Sequence, residues 1–211
     1  MPGLIQSWDL TVLSCLRACH EPAAIWAAWV IASLAWKGIV WWILALALWL
    51  RGHRLIAAQL VFALLFASAE AASLKGFVLR PRPDLYASQQ LNIPMPELLS
   101  TTHSFPSGHT TLAAACAAVV AIRYQGWRAW ASLAFVFLCG VARIFQGMHW
   151  PSDVLGSVVL GVVAGLLALK VSSWPAVKRL TDKRSRPSFE RPAIAAETVA
   201  AGPANREAVL K

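Results

Sequence analysis

Two histidines, one aspartate and three cations are the residues of this chain whose types and spacing could do chemistry. His149 stands four residues before Asp153, with Pro151 between them suited to opening a helix. Asp153 therefore falls in a first helical turn, from which its carboxylate can reach back to one imidazole nitrogen. Such a carboxylate fixes the tautomer and leaves the other nitrogen a better nucleophile. His109 is then available as the proton donor to a leaving oxygen.

Lys75, Arg82 and Arg143 have no matching cluster of acids, which implies an anion of high charge. Arg forks suit phosphate oxygens in particular. "PSGH" at 106 to 109 adds to this: Pro106 stands at or just before a helix start, Gly108 allows close backbone approach and Ser107 can donate a hydrogen bond. The N–H groups of a first helical turn point at an anion along the positive end of the helix dipole. These are the pieces of a covalent phosphoryl transfer. Asp153 is the only carboxylate among them, whereas hard cations want several oxygen ligands, so no metal and no cofactor are expected.

The elements that must position these groups are greasy. Of 211 residues, 58% are hydrophobic, 14% are charged and eleven are Trp, a balance with too little charged surface for a large soluble all-α core. Apolar runs cover residues 22 to 50 (broken at Lys37-Gly38), 55 to 74, 110 to 122, 129 to 142 and 154 to 171. A helix needs about 20 mostly apolar residues to cross the hydrocarbon core. The expected fold is an all-α polytopic membrane helical bundle of five transmembrane helices, or six if the first run divides at Lys37-Gly38. Before it, Asp9 and Arg17 interrupt an apolar stretch that reads as an N-terminal amphipathic helix at the interface. Residues 1–174 form the expected membrane-embedded domain, and 175–211 a basic, disordered cytoplasmic tail.

Alternate connections are basic: Arg51, His53 and Arg54, then Arg123 and Arg128, then the tail. These belong in the cytoplasm. The loops 75–108 and 143–153 then share the opposite face, where they can build one site. Lys75 and Arg82 cannot share one straight helix, because Pro81 pushes Arg80 out of the α region and the chain must turn extended there.

Lys75, Arg82 and Pro83 as K-x6-R-P, "PSGH" at 106 to 109, and Arg143, His149 and Asp153 as R-x5-H-x3-D resemble the three signature motifs of the type-2 phosphatidic-acid phosphatase superfamily. The motifs stand in family order and spacing over residues 75 to 153. The resemblance implies a helical bundle with its site at the outer leaflet. It also implies His149 as nucleophile, Asp153 as its partner, His109 as acid, and Lys75, Arg82, Ser107, Gly108 and Arg143 as phosphate ligands. The serine that commonly precedes the third-motif arginine is Ala142 here. Small size and "RPRP" before a short polar loop look most similar to bacterial undecaprenyl-diphosphate phosphatases.

On that resemblance the substrate is a lipid phosphate or diphosphate, best undecaprenyl diphosphate, with phosphatidylglycerophosphate, phosphatidate and lipid A as alternatives. The partners are membrane lipids and not nucleic acid. The place is a bacterial inner membrane, with the site facing the periplasm or the cell exterior. Two other classes compete: a vanadate-dependent peroxidase, against which the transmembrane setting speaks, and a non-catalytic lipid-binding protein, in which His149 would be idle. Glu70, about one turn before Lys75, is read as a bundle-facing partner for a site cation. Cys15 and Cys19 with His20 lack the second ligand pair of a metal site. "DLYASQQLNIPMPELL" is either a lid over lipid chains or a plain connection.

Overall fold

Large apolar side chains face outward in this protein and small ones face inward. Trp26, Ile43, Trp127, Trp130, Phe137 and Val159 are exposed, while the core is built largely of Ala with Leu60, Leu64 and Val119. Lipid chains solvate large apolar groups as well as a protein core does, so close packing of helices in a bilayer relies on small residues.

The computed structural model describes residues 3–18, 22–84 and 103–181, which are helices joined by turns and short connections, with no strand among them. Helix α1 is Leu4–Ala18, α2 Pro22–Leu34, α3 Ile39–Leu50, α4 Arg54–Phe77, α5 Gly108–Arg123, α6 Trp127–Phe145, α7 Pro151–Ser172 and α8 Pro175–Thr181. Four stretches among the described residues are long and apolar enough to cross a membrane: Trp26–Leu50, Arg54–Phe77, Trp127–Phe145 and Pro151–Ser172. The apolar helix α5 is shorter, at 16 residues.

Lys37-Gly38 does interrupt the first stretch. A 3-10 turn, Trp36–Gly38, separates α2 from α3, with Lys37 and Gly38 both at positive φ (47° and 72°). The two halves go to different neighbours, α2 packing on α6 and α3 on α4.

Helix α5 is the centre of the bundle, packed against α4, α6 and α7. Its closest partner is α7, whose buried face is Asp153, Ser157, Gly161, Gly165, Ala168 and Ser172. A Cβ on Gly161 would fall 2.4 Å from the Thr111 carbonyl oxygen, so only glycine lets the two backbones approach this closely. Ser157 joins the same pair at its active end: its hydroxyl accepts from Ser107 N (2.7 Å) and donates to Asp153 O (2.6 Å). The helices that carry two of the three motifs are thereby held in fixed register.

Three expectations change. Asp9 does not mark the polar face of an interfacial helix; it is fully buried and ties α1 to the bundle. Glu70 makes no ion pair or hydrogen bond among the described residues. Lys75 is five residues on, well round the helix, whereas side chains meet at spacings of three or four. The segment expected to be a disordered tail begins with helix α8; residues 182–211, the loop 85–102, Cys19 and His20 lie outside the described residues.

Candidate active site

Every candidate residue is carried by a helix end or by one of three short connections at the same end of the bundle. Lys75 is in the last turn of α4, which stops at Phe77 as the chain turns extended at Val78 (φ −98°, ψ 92°). Arg82 follows in that connection, 5% exposed. Ser107 is the buried N-cap of α5, with Gly108 and His109 its first residues. Arg143 lies in the last turn of α6, His149 in the connection to α7, and Asp153 in the first turn of α7.

The connections are stitched together by backbone groups. Trp150 Nε1 donates to Pro81 O at 2.8 Å, Ser104 N to Arg80 O at 2.8 Å, and Asp84 N to Gly147 O at 3.3 Å. Arg82 Nη1 donates to Met148 O at 3.3 Å. Gly147 makes this possible: its φ is +65°, and a Cβ there would run into the Asp84 carboxylate.

The three cations gather as the anion reading requires. Lys75 is within electrostatic reach of Arg82 and Arg143, and all three act on both His109 and His149. Arg143 Nη1 donates to Gln146 Oε1 at 2.6 Å, while Arg143 Nε and Gln146 Nε2 are buried without a protein partner. Buried donors of that kind are rare in native structures, and these two, one of them on a site cation, are the kind an anion satisfies. Gly108 faces open space on its Cβ side. First-turn amides of a helix have no intrahelical acceptor, so this end of α5 adds donors to the cations.

His149 is 2% exposed, with Nδ1 2.5 Å from the carbonyl oxygen of Ser104. A carbonyl can only accept, so Nδ1 carries the proton and the lone pair is left on Nε2. Burial, then the charges of Arg143 and Arg82, push the imidazole pKa well below its ordinary value of 6.5. The residue is therefore neutral at neutral pH, the form that can attack.

The structure differs from the expected carboxylate–imidazole pair. Asp153 Oδ2 accepts from Trp150 N (2.9 Å) and Oδ1 from Arg80 Nη1 (2.5 Å). At the third position of α7 the carboxylate caps its own helix, and the ring of His149 turns instead to Ser104. Arg80 forks onward to Asp9 Oδ2 (2.5 Å), and Asp9 also accepts from Ser152 N (2.8 Å) and Ser152 Oγ (2.6 Å). Asp9, Arg80, Ser104, Ser152 and Ser157 are thus supporting residues that motif spacing does not single out.

A cavity of about 500 Å³ opens from this cluster toward α2, lined by His109, Arg143, Gln146, Trp29, Ser33 and Trp36. Trp29 and Ser33 also line a neighbouring crease of about 670 Å³, walled by Trp26, Val30, Ile39 and Ile43 where α2 breaks into α3. A charged chamber thus adjoins an apolar one facing the bilayer.

A family model described as the PAP2 superfamily matches residues 56–175. A lipid A 1-phosphatase of Rhizobium johnstonii is 32% identical over 138 residues, 59% of this chain and 56% of the relative. Undecaprenyl-diphosphatase BcrC of Bacillus subtilis is 41% identical over 69 residues, 33% of this chain and 35% of the relative. The chain thus matches about half the length of the first relative and about a third of the second. Among solved structures, the crystal structure of LpxE from Aquifex aeolicus has a TM-score of 0.63 at 25% identity, over 76% of this chain and 94% of that one. The PAP2-type phosphatidylglycerolphosphate phosphatase of Bacillus subtilis has a TM-score of 0.65 at 18% identity, over 81% and 87%, a likeness of fold alone.

Proposed function

The chain belongs to the PAP2 superfamily, and from that premise we propose that it is a membrane lipid phosphatase working through a phosphohistidine on His149. The observation that carries the reading is the joining of a polar chamber, lined by His109, Arg143 and Gln146, to an apolar crease that opens toward lipid. A substrate with a phosphate on a long apolar stem fits both at once.

Lys75, Arg82, Arg143 and the first-turn amides of α5 hold the phosphoryl oxygens and neutralise the charge that grows on them in the transition state. Nε2 of His149 attacks phosphorus as the bond to the leaving oxygen breaks. Burial and the same cations push the His109 imidazole pKa down to about 4; the bound phosphate offsets those charges so that the ring takes up a proton, which it gives to the leaving oxygen, and Ser104 O steadies the His149 imidazolium N–H that remains. Water then attacks the phosphohistidine, His109 accepts the water's proton, and phosphate leaves with His149 neutral again. Asp153 acts by fixing the start of α7, and through it the backbone that carries His149. The charge pattern of the loops supports a site on the periplasmic or outer face.

For the stem we propose undecaprenyl diphosphate, supported by the likeness to the Bacillus undecaprenyl-diphosphatase over 69 residues at 41% identity. Lipid A is the second reading, supported by the longer match, 138 residues, to the Rhizobium lipid A 1-phosphatase. Phosphate release by purified protein from undecaprenyl diphosphate, lipid A, phosphatidylglycerophosphate and phosphatidate decides between them. Release from none of the four, by protein that binds vanadate, would overturn the phosphatase reading.

A further inference from the structure

The end of the bundle away from the active site holds a further cavity, of about 640 Å³, between α3 and α6. It exists because α3 packs on α4 while α2 packs on α6, which leaves the lower halves of α3 and α6 apart. Its depth is apolar, with Trp41 and Phe135 in edge-to-face contact (ring centres 5.8 Å apart, planes at 81°). Its rim carries Arg51, His53 and Arg128. The Arg128 guanidinium is held over two rings, 5.5 Å from the centre of Tyr124 and 5.4 Å from that of Trp127, so it is ordered before any ligand arrives.

The charge at this rim meets no carboxylate among the described residues. The carboxylates among the described residues are Asp9, Glu70, Asp84 and Asp153, and none lines this cavity. Glu70 stands 16 residues beyond Arg54 on α4, about 24 Å along the helix axis at about 1.5 Å per residue. The other three belong to the active-site end. Trp41 is 5% exposed and its indole Nε1 has no protein partner. A donor without an acceptor in the wall, an apolar slot of ligand size and a rim that carries Arg51 and the ring-stacked Arg128 match one chemistry.

We infer that this cavity binds an anionic phospholipid of the leaflet opposite the active site. Its phosphodiester sits between Arg51 and Arg128, and an acyl chain enters the slot over Phe135. The active site cannot turn this lipid over as a phosphomonoester, because its phosphate is a diester. The site is therefore a binding site separate from the substrate chamber.

The test uses full-length protein carrying His149→Ala, so that turnover plays no part, in nanodiscs of equal phosphatidylglycerol and phosphatidylcholine. Native mass spectrometry after release reads which lipid stays bound. A guanidinium near an anionic headgroup contributes about a factor of five in binding, so two contribute about 25-fold. Phosphatidylglycerol should be retained over phosphatidylcholine by about that factor, the preference should vanish in R51Q/R128Q, and R51K, which keeps the charge at a position without ring stacking, should keep most of it. Equal retention of the two lipids, or a preference unchanged in R51Q/R128Q, overturns the inference. So does a dimer that carries no lipid, because the cavity would then hold a second copy of the chain. Phosphate release by the R51Q/R128Q variant with His149 intact keeps this outcome separate from the phosphatase reading.

Discussion

Nδ1 of His149 lies 2.5 Å from the carbonyl oxygen of Ser104. The bond leaves the lone pair on Nε2, the nitrogen that attacks in the proposed scheme, and burial with three nearby cations keeps the ring neutral. The sign is direct. A pKa pushed below 6.5 extends the reactive, unprotonated form to lower pH, so activity is lost only as pH falls through that depressed value. The acid limb of kcat/KM, which reports the free enzyme, should lie below pH 6.5 once the substrate's own phosphate titration is divided out. Arg82→Gln removes one of the cations and should move the limb upward. A limb at or above 6.5 in the native protein would contradict the assignment.

Arg80 joins two fully buried carboxylates, Asp9 and Asp153. Removing one partner of a buried pair costs about 3–5 kcal/mol. Arg80→Ala should therefore lower the thermal midpoint sharply, and Asp9→Asn should do so to a smaller degree, since Asn still accepts from Ser152. Because Asp9 touches no phosphate ligand, Asp9→Asn should reduce kcat with little change in KM. A rise in KM with kcat intact would place Asp9 in binding instead.

Those two residues show what the sequence could and could not reveal. The candidate groups stand out in the sequence because each motif is short and the proposed chemistry demands its residue types; the break after Phe77 was legible because Pro81 forbids a helix there. Asp9 was not, since its partners lie 71 and 143 residues away and a lone carboxylate in an apolar helix reads as its wet side. The Asp153 contact was misjudged for a related reason. Spacing put the carboxylate near the imidazole, but its own helix start and Arg80, a residue left unassigned, compete for the same oxygens.

Gly147→Ala tests how the loops are held. The side chain would be forced into positive φ, a cost of about 1–3 kcal/mol, and would strike Asp84. The segment bearing Arg82 must then move. Vanadate affinity and thermal midpoint should both fall; a variant with native values for both would mean that the Asp84–Gly147 contact does not position the site.

The two histidines should fail differently. His149→Ala removes the nucleophile and should abolish turnover on every substrate. His109→Ala removes a proton donor, worth typically about 10² to 10⁴ in rate. An alkoxide leaves with a conjugate-acid pKa near that of water, about 15.7, whereas a monophosphate leaves with a second pKa of about 6. The loss should be larger on phosphatidate than on a prenyl diphosphate. Equal losses in kcat/KM would assign His109 to phosphate binding.

Activity should persist in EDTA, because the motif carboxylate is committed to Trp150 N and Arg80. Full loss restored by magnesium would contradict the scheme.

In the proposed cycle a phosphoryl group rests on His149. Protein quenched during turnover of a ³²P-labelled substrate should carry label that is stable to alkali, labile to acid and confined to the peptide containing His149, with none in His149→Ala. Active protein that never carries label there, or carries it on another residue, would contradict the account.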